Sequence, residues 1–240
     1  MIPSSSPSSN RFHRLPFSFD ERRLRHDLNA CLELEWRNHF NDKDYSGSWT
    51  GIALRSATGE TRDILAHPGV NSYCETPLLA ACPYFREILA LFHCDQEAVR
   101  LLRLAPGSRI NEHRDRGAGY PYGMFRVHIP ITTDAAVCFR VDGFEVPMKS
   151  GECWYADFDR PHSVVNNSPQ ERIHLVADCR RNGWSDELFR EAGYDFSAEE
   201  RSRRPDAKTR RRMIEELSRM DTEASRRLVE ALTGEQEGDA

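Results

Sequence analysis

The sequence predicts a mainly β fold with flanking helices, in which short antiparallel strands form a sandwich or barrel. Three features of the central region support this prediction. Short segments rich in Val, Ile, Phe and Tyr recur, turn-forming residues separate most of them, and apolar and polar residues alternate within the clearest of them. At 240 residues the chain is long enough for one such domain with helices packed against it.

Two helical segments are predicted before most of these strands. Residues 1–15 are rich in Ser, Pro and Asn, and they are predicted to form a disordered tail. The helical spacing of Leu24, Leu28, Leu32 and Trp36 then predicts a helix within residues 19–40. A second apolar helical pattern covers residues 76–92, where Pro83 predicts a kink or a restart because proline lacks the amide donor that a helix interior needs.

The strand-like segments follow from residue 99 onwards. Asp142-Gly143 joins two of them and is typical of a tight hairpin turn, since glycine tolerates the positive φ that such turns require. The predicted strands are residues 99–104, 125–131, 136–141, 144–148, 152–157, 162–166 and 172–178.

Alternation within two strands indicates what each face carries. In residues 125–131 the aliphatic side chains share one face and Arg126 and His128 share the other, and Arg172 and His174 repeat this arrangement in the last strand. Charged residues that alternate with aliphatic ones often mark a solvated outer face. The same relation of Arg to His in two strands favours a polar, anion-binding interior instead. We therefore predict a double-stranded β-helix, the jelly-roll of the cupin class.

The clearest chemical signal is a candidate metal site. It consists of His113 and Asp115, which form a His-x-Asp motif, and His162. The first and third side chains of an extended triplet point to the same side, so both can reach one metal ion, and His162 is the best candidate for a third ligand. Two imidazoles and a carboxylate are the donor set of non-haem Fe(II) oxygenases, which keep an open face for an oxo acid and O2. Arg172 adds a permanently charged fork that suits the far carboxylate of 2-oxoglutarate.

These motifs, in this order, resemble the aspartyl/asparaginyl β-hydroxylase family of Fe(II)- and 2-oxoglutarate-dependent oxygenases. Because some animal relatives have glycine in place of Asp115, the sequence is closer to the bacterial amino-acid hydroxylases of the family, such as the cis-proline hydroxylases. The matching elements include Tyr45-Ser46-Gly47-Ser48-Trp49, Val99-Arg100-Leu101, His113-x-Asp115, Arg126-x-His128-x-Pro130, Gly151-Glu152, Pro161-His162-Ser163-Val164-x-Asn166 and Arg172-x-His174-Leu175.

The resemblance implies roles for individual residues. His113 and His162 match the two iron histidines of the family, and Asp115 matches the carboxylate ligand of members that have a full triad. Arg172 matches the arginine that pairs with the distal carboxylate of 2-oxoglutarate. The pair Arg126 and His128 matches residues near the metal-bound end of that cosubstrate.

The function that follows is hydroxylation of an unactivated C–H bond in a free amino acid or an amino-acid-like small molecule, with release of succinate and CO2. Two alternatives stay open: a hydroxylase of Asp or Asn residues in a protein or peptide, and a non-catalytic cupin-like binding or sensor protein. Arg116 and Arg55 are candidates for holding a substrate carboxylate. Trp49 is a candidate for contacting the substrate and is equally well explained as a core residue.

Composition limits the classes of partner and compartment. Acidic and basic residues nearly balance at a net charge of −5, which does not indicate nucleic-acid binding. No apolar run approaches the roughly 18 residues of a membrane-spanning helix, and the start of the chain lacks the apolar region of a signal peptide. The seven cysteines form no C-x-x-C pair and are expected to be reduced, structural thiols. We expect a cytoplasmic protein without a membrane partner.

The C-terminal region differs from the rest in composition. The oxygenase domain, with its N-terminal helices, is predicted to cover residues 16–195, and residues 196–240 are predicted to form a charged helical extension. Residues 206–232 carry an amphipathic stripe among many charges. A solvated helical face is the simplest interpretation, a helix for dimerisation or for another partner is the next, and nucleic-acid binding is the third. The extension is expected to be dispensable for the chemistry.

Overall fold

A computed structural model of the chain describes residues 10–234, except Pro68, Asn71 and Arg204. The chain divides between Asp195 and Phe196 into two compact units. This is the position at which the sequence predicts that the charged extension begins. The described strands all lie in the first unit.

The strands of the first unit are mostly short. In chain order they are β1 (Phe12–Ser18), β2 (Arg37–Asn38), β3 (Tyr45–Ser46), β4 (Trp49–Ser56), β5 (Cys74–Glu75), β6 (Gln96–Leu104), β7 (Arg109–His113), β8 (Met124–Thr132), β9 (Val137–Val141), β10 (Phe144–Glu145), β11 (Glu152–Ala156), β12 (His162–Asn166) and β13 (Arg172–Arg180). Four helices accompany them in the described ranges: α1 (Glu21–Leu32), α2 (Pro77–Ala80), α3 (Pro83–Ala90) and α4 (Gly183–Glu191), and Asp42–Asp44 and Tyr120–Tyr122 form single 3-10 turns.

The strands form two antiparallel sheets. The larger has the order β1-β11-β8-β13-β6-β4-β2, with β5 paired to β4, and the smaller has the order β10-β9-β12-β7-β3. Most neighbours in each sheet are not consecutive in the chain, which is the pattern of a jelly-roll rather than of a simple meander. The predicted fold class, a mainly β double-stranded β-helix with flanking helices, is confirmed.

The larger sheet is buried on both of its faces. Val127, Ile129 and Ile131 of β8 are 0–1% exposed on the face that carries helix α1. The opposite face packs against the smaller sheet through a continuous apolar cluster, which includes Leu102, Leu104, Ile110, Phe139, Val141, Val164 and Val176. Val176 of β13 belongs to this cluster, and four polar side chains lie on the same face of the larger sheet as Val176: Arg126, His128, Arg172 and His174. The charged positions of β8 and β13 therefore lie between the sheets, as their alternation predicts.

The hairpin predicted at Asp142-Gly143 is present. Asp142 has a φ of 53° and Gly143 a φ of 79°, the two positive values that a two-residue type I′ turn requires. The turn joins β9 to β10, where Phe144 pairs with Val141. Asp142 also accepts from the guanidinium groups of Arg11 and Arg160, at 2.7 and 3.0 Å.

The structure corrects two local predictions near the N-terminus. Strand β1 begins at Phe12 and pairs with β11, so the domain starts earlier than residue 16, and residues 12–15 are not a disordered tail; residues 1–9 lie outside the described range. Helix α1, capped by the Asp20 side chain, ends at Leu32 rather than near residue 40. Trp36 satisfied the helical spacing only by coincidence, since its indole is buried outside the helix and donates to the Cys31 carbonyl at 2.9 Å.

The predicted interruption at Pro83 is also present, because α2 ends at Ala80 and α3 begins at Pro83. All seven cysteines are free thiols. In the part of the chain that the structure describes, no helix combines the length and the apolar character needed to cross a membrane.

The second unit consists of helices α5 (Phe196–Arg203), α6 (Ala207–Met220) and α7 (Glu223–Gly234). The sequence predicts one amphipathic stretch over residues 206–232, but the chain breaks between α6 and α7 at Asp221, which has a φ of 42°. The two helices contact each other, and Met213, Leu217, Leu228 and Leu232 line an apolar groove between them.

Removal of residues 196–240 should leave metal binding and 2-oxoglutarate turnover largely intact, because every candidate site residue lies in the first unit and compact units often fold alone. Succinate production and metal content of the truncated protein test this. Light scattering reports in parallel whether the extension mediates the homodimer that the sequence suggests. Loss of metal binding in a truncated protein that still folds would contradict the prediction.

Candidate active site

Antiparallel pairing of β7 with β12 brings the predicted metal ligands together. His162 at the start of β12 lies directly opposite His113 at the end of β7, with ring centroids 4.2 Å apart. Asp115 follows β7 in a turn. Its backbone amide donates to the Phe158 carbonyl at 2.9 Å, which fixes this turn. Potential ligand atoms of the two histidines and Asp115 all lie within 4.8 Å of one another.

Backbone carbonyls set the tautomer of both histidines. His113 donates from Nδ1 to the Asn111 carbonyl at 2.8 Å, and His162 donates from Nδ1 to the Arg160 carbonyl at 3.0 Å. Because a carbonyl oxygen can only accept, the proton of each neutral ring is on Nδ1. Each Nε2 therefore keeps the lone pair that a metal ion requires.

The charge states of the ligands also suit a divalent cation. Burial lowers the pKa of His162 to about 4, so the ring is neutral near pH 7. Burial opposes ionisation of Asp115, but the charge and hydrogen bond of Arg126, together with His162 and His113, outweigh it and hold the pKa of this carboxyl below its usual range. Two imidazoles and one carboxylate fit the facial donor set of Fe(II).

Arg126 is held between two carboxylates. Its Nη1 donates to Asp115 Oδ2 at 2.7 Å, its Nε donates to Asp178 Oδ1 at 2.6 Å, and its Nη2 reaches Asp178 Oδ2 at 3.3 Å. The resemblance placed Arg126 near the metal-bound end of 2-oxoglutarate, and it does lie beside a ligand. Its nitrogens are nevertheless engaged by Asp115 and Asp178, so its observed contacts are with the protein.

Arg172 is a buried cation without an anion. Its side chain is 2% exposed, and no carboxylate of the described residues lies within ion-pair distance of it. Nη2 donates to Nδ1 of His174 at 2.9 Å, whereas Nε has no hydrogen-bond partner. Burial lowers the pKa of Arg172 to about 9, since no nearby negative charge offsets the loss of solvent. An unpaired buried charge costs several kcal/mol, so this position is built to receive an anion.

A narrow cavity of about 50 Å³ joins Arg172 to the metal-ligand triad. His128 also lines it, and the Nε2 atom of His128 is buried without a hydrogen-bond partner. The lining of this one cavity therefore combines a cation and an unsatisfied imidazole with His113, Asp115 and His162. The residues present fit a small dianion that reaches from the triad to Arg172, as 2-oxoglutarate would.

A wider pocket of about 400 Å³ opens beside the triad. Trp49 lines both cavities and stacks on His39 with the ring centroids 3.5 Å apart. Burial lowers the pKa of His39 to about 3, so this wall is an uncharged stacked pair at neutral pH. Arg116 lies exposed on the lining of the same pocket.

The structure does not bring Arg55, a predicted substrate contact, to the other candidate site residues. Strand β4 changes register against β6 between Ala53 and Arg55, so that Ala53 pairs with Arg100 while Arg55 pairs with Val99. Paired residues point to the same side of a sheet, and this irregularity therefore puts Arg55 on the face opposite to the site. Its guanidinium donates instead to the Tyr73 carbonyl at 2.9 Å.

Sequence analysis assigned no role to Asp178, Arg100 or His39. Asp178 bridges Arg100 and Arg126 from the strand that carries Arg172, and His39 forms part of the pocket wall. The available signal for Asp178 was its even spacing from Arg172, which places both on one face of β13. No local pattern marks His39, because β2 is only two residues long.

Residues 18–182 match the sequence model of the family described as aspartyl/asparaginyl beta-hydroxylase, and they make up more than half of the chain. The chain belongs to this family. It is accordingly an enzyme, a 2-oxoglutarate-dependent hydroxylase, and the family resemblance seen in its motifs is confirmed.

Solved structures show more remote likenesses. An oxidoreductase of the 2OG-Fe(II) oxygenase family from Burkholderia pseudomallei is 15% identical, with a TM-score of 0.47 over 69% of this chain and 82% of that one. A prolyl-4-hydroxylase from Pseudomonas putida is 15% identical, with a TM-score of 0.42 over 68% of this chain and 86% of that one. A cupin domain of a transcriptional regulator from Enterobacter cloacae is 18% identical, with a TM-score of 0.29 over 35% and 82%. The family assignment rests on the match over residues 18–182.

Proposed function

We propose that this hydroxylase acts on a free amino acid or an amino-acid-like small molecule, and that it consumes 2-oxoglutarate and O2 and releases succinate and CO2. The observation that supports this substrate class is that His113 and Asp115 line a pocket of about 400 Å³. Sites for small molecules span roughly 300–1,000 Å³. The pocket is therefore large enough for an amino acid next to the metal ligands.

Fe(II) would be held by His113, Asp115 and His162, and together with 2-oxoglutarate it supplies the activation of O2 for attack on a C–H bond. The chain itself supplies charge and orientation. Arg172 binds the distal carboxylate of the cosubstrate, and His128 lines the cavity that joins that arginine to the triad. The uncharged wall of Trp49 and His39 excludes water and orients the substrate.

A purified sample loaded with Fe(II) and 2-oxoglutarate tests the proposal through succinate formation. We expect a panel of free amino acids to contain compounds that stimulate succinate release together with a hydroxylated product. If peptides that contain Asp or Asn stimulate turnover and free amino acids do not, the protein-directed alternative is favoured. Failure of every free amino acid to stimulate turnover would contradict the proposed substrate class.

Arg116→Ala should raise the KM for the amino-acid substrate by about tenfold, equivalent to about 1.4 kcal/mol, with a smaller change in kcat. Arg116 is the exposed guanidinium on the pocket lining, and a forked cation suits an α-carboxylate. Arg114→Ala is the matched control, because Arg114 is also exposed but donates to the Asp159 carbonyl at 3.2 Å. Equal KM values for the two variants would remove Arg116 from the substrate site.

A further inference from the structure

Three charged side chains lie side by side across the larger sheet, next to the metal-ligand triad. Arg100, Asp178 and Arg126 come from the adjacent strands β6, β13 and β8, and Asp178 pairs in register with Arg126. The Asp178 side chain is 1% exposed and those of Arg100 and Arg126 are 6% and 15% exposed. Asp178 thus carries the shared negative charge between two arginines.

The contacts of Arg126 are divided unequally between its two carboxylates. Asp178 takes Nε and Nη2 of the guanidinium, at 2.6 and 3.3 Å, and only Nη1 reaches Asp115. That single bond, at 2.7 Å, is made to Oδ2 of Asp115, while Oδ1 lies 3.6 Å from Nε2 of His113. One oxygen of Asp115 is therefore held by Arg126, and the other is on the side of the histidines.

We propose that Asp178 is a positioning residue for the metal site, because it restricts Arg126 to one oxygen of Asp115 and leaves the second oxygen for the ion. An arginine fork released from Asp178 can bind a carboxylate through two parallel hydrogen bonds and would then compete with the metal for both oxygens of Asp115. Asp178 also offsets two positive charges that would otherwise repel a dication. The inference rests on the metal site of the proposed function.

The test is the affinity for Co(II), measured by calorimetric titration of the full-length protein, with the visible spectrum of bound Co(II) as a report on its coordination. Asp178→Asn keeps the shape of the side chain and removes its charge. We expect a loss of affinity of about 10- to 100-fold, the range found when outer-shell partners of metal ligands are changed. A changed Co(II) spectrum should accompany it.

Asp27→Asn is the matched control for the loss of a buried aspartate. Asp27 is 2% exposed and accepts from the amides of Tyr84 and Phe85 at 2.7 and 2.9 Å, away from both cavities. This variant should lower the melting temperature and keep the Co(II) affinity of the wild type. A loss of Co(II) affinity in Asp27→Asn as large as that in Asp178→Asn would overturn the positioning role, since general destabilisation would then explain both.

If Asp178→Asn does not fold, Arg126→Lys tests the positioning role of Asp178 instead. Lysine keeps the positive charge but lacks the fork that spans two carboxylates, so we expect Co(II) affinity to fall about 10-fold or more. When both single variants fold, Asp178→Asn should cost less Co(II) affinity in the Arg126→Lys background than in the wild type, because the effect that Asp178 exerts through the Arg126 fork is already absent there.

Two failures are distinguishable. A wild-type protein that binds no Co(II) would refute the metal site itself and with it the proposed function. A wild type that binds Co(II), together with a folded Asp178→Asn or Arg126→Lys of unchanged affinity and spectrum, would refute only the role of Asp178.

Discussion

His162→Ala should lose metal binding and the turnover of 2-oxoglutarate. His162 faces His113 across the β7–β12 pair, and its Nδ1 proton is held by the Arg160 carbonyl at 3.0 Å, so Nε2 is the atom left to bind the ion. Removal of one of three protein ligands should weaken metal binding by more than the roughly 100-fold upper range for outer-shell partners. Metal content after loading with Fe(II) without oxygen, together with succinate production, measures the effect.

His13→Ala is a suitable control for this experiment. His13 is half-buried, donates from Nδ1 to the Ala192 carbonyl at 3.1 Å and stacks on Tyr155, but it lies outside the triad. The His13→Ala variant should retain metal and activity even if the loss of the imidazole lowers the melting temperature. Equal iron content and equal turnover in wild type and His162→Ala would show that His162 is not a ligand.

Arg172→Ala should raise the 2-oxoglutarate concentration needed for half-maximal turnover by a hundredfold or more, with a much smaller effect on metal affinity. Loss of one partner of a buried charge pair costs about 3 to 5 kcal/mol, and 2.7 kcal/mol already corresponds to about a hundredfold. Arg172→Lys should recover little of this loss, since an ammonium group lacks the bidentate fork. Titration of succinate production against 2-oxoglutarate gives the comparison.

The thermal stability of Arg172→Ala provides a second, independent measurement. In the absence of ligand the variant should melt at the same temperature as the wild type or higher, because Arg172 is buried without a carboxylate partner among the described residues. Saturation with 2-oxoglutarate at 100 times its Kd should stabilise the wild type by about 2.7 kcal/mol. The variant should show no such gain at that concentration.

Arg103→Ala controls for the loss of an arginine on the neighbouring strand. Arg103 interacts with Thr50 at 3.1 Å and with the Trp36 ring, and it lines neither of the two cavities. Its removal should leave the requirement for 2-oxoglutarate unchanged. An unchanged requirement in Arg172→Ala as well would transfer the role to Arg126.

Features that depend on local chemistry were predictable from the sequence. The hairpin at Asp142-Gly143 follows from the positive φ values that these residues tolerate, and the restart of a helix at Pro83 follows from its missing amide donor. Period-two alternation placed Arg126 and Arg172 on the inner face of their strands, because successive side chains of a strand point to opposite sides. The fold class and the family follow from the same local patterns.

Only the tertiary structure decided which groups meet. Pairing of β7 with β12 puts His162 opposite His113, the register change in β4 turns Arg55 away from the site, and packing of β13 beside β8 gives Arg126 its second carboxylate, Asp178. Each of these depends on strand register between segments far apart in the chain. A one-residue change of register reverses the face of a side chain, and alternation along a single strand carries no information about such a change.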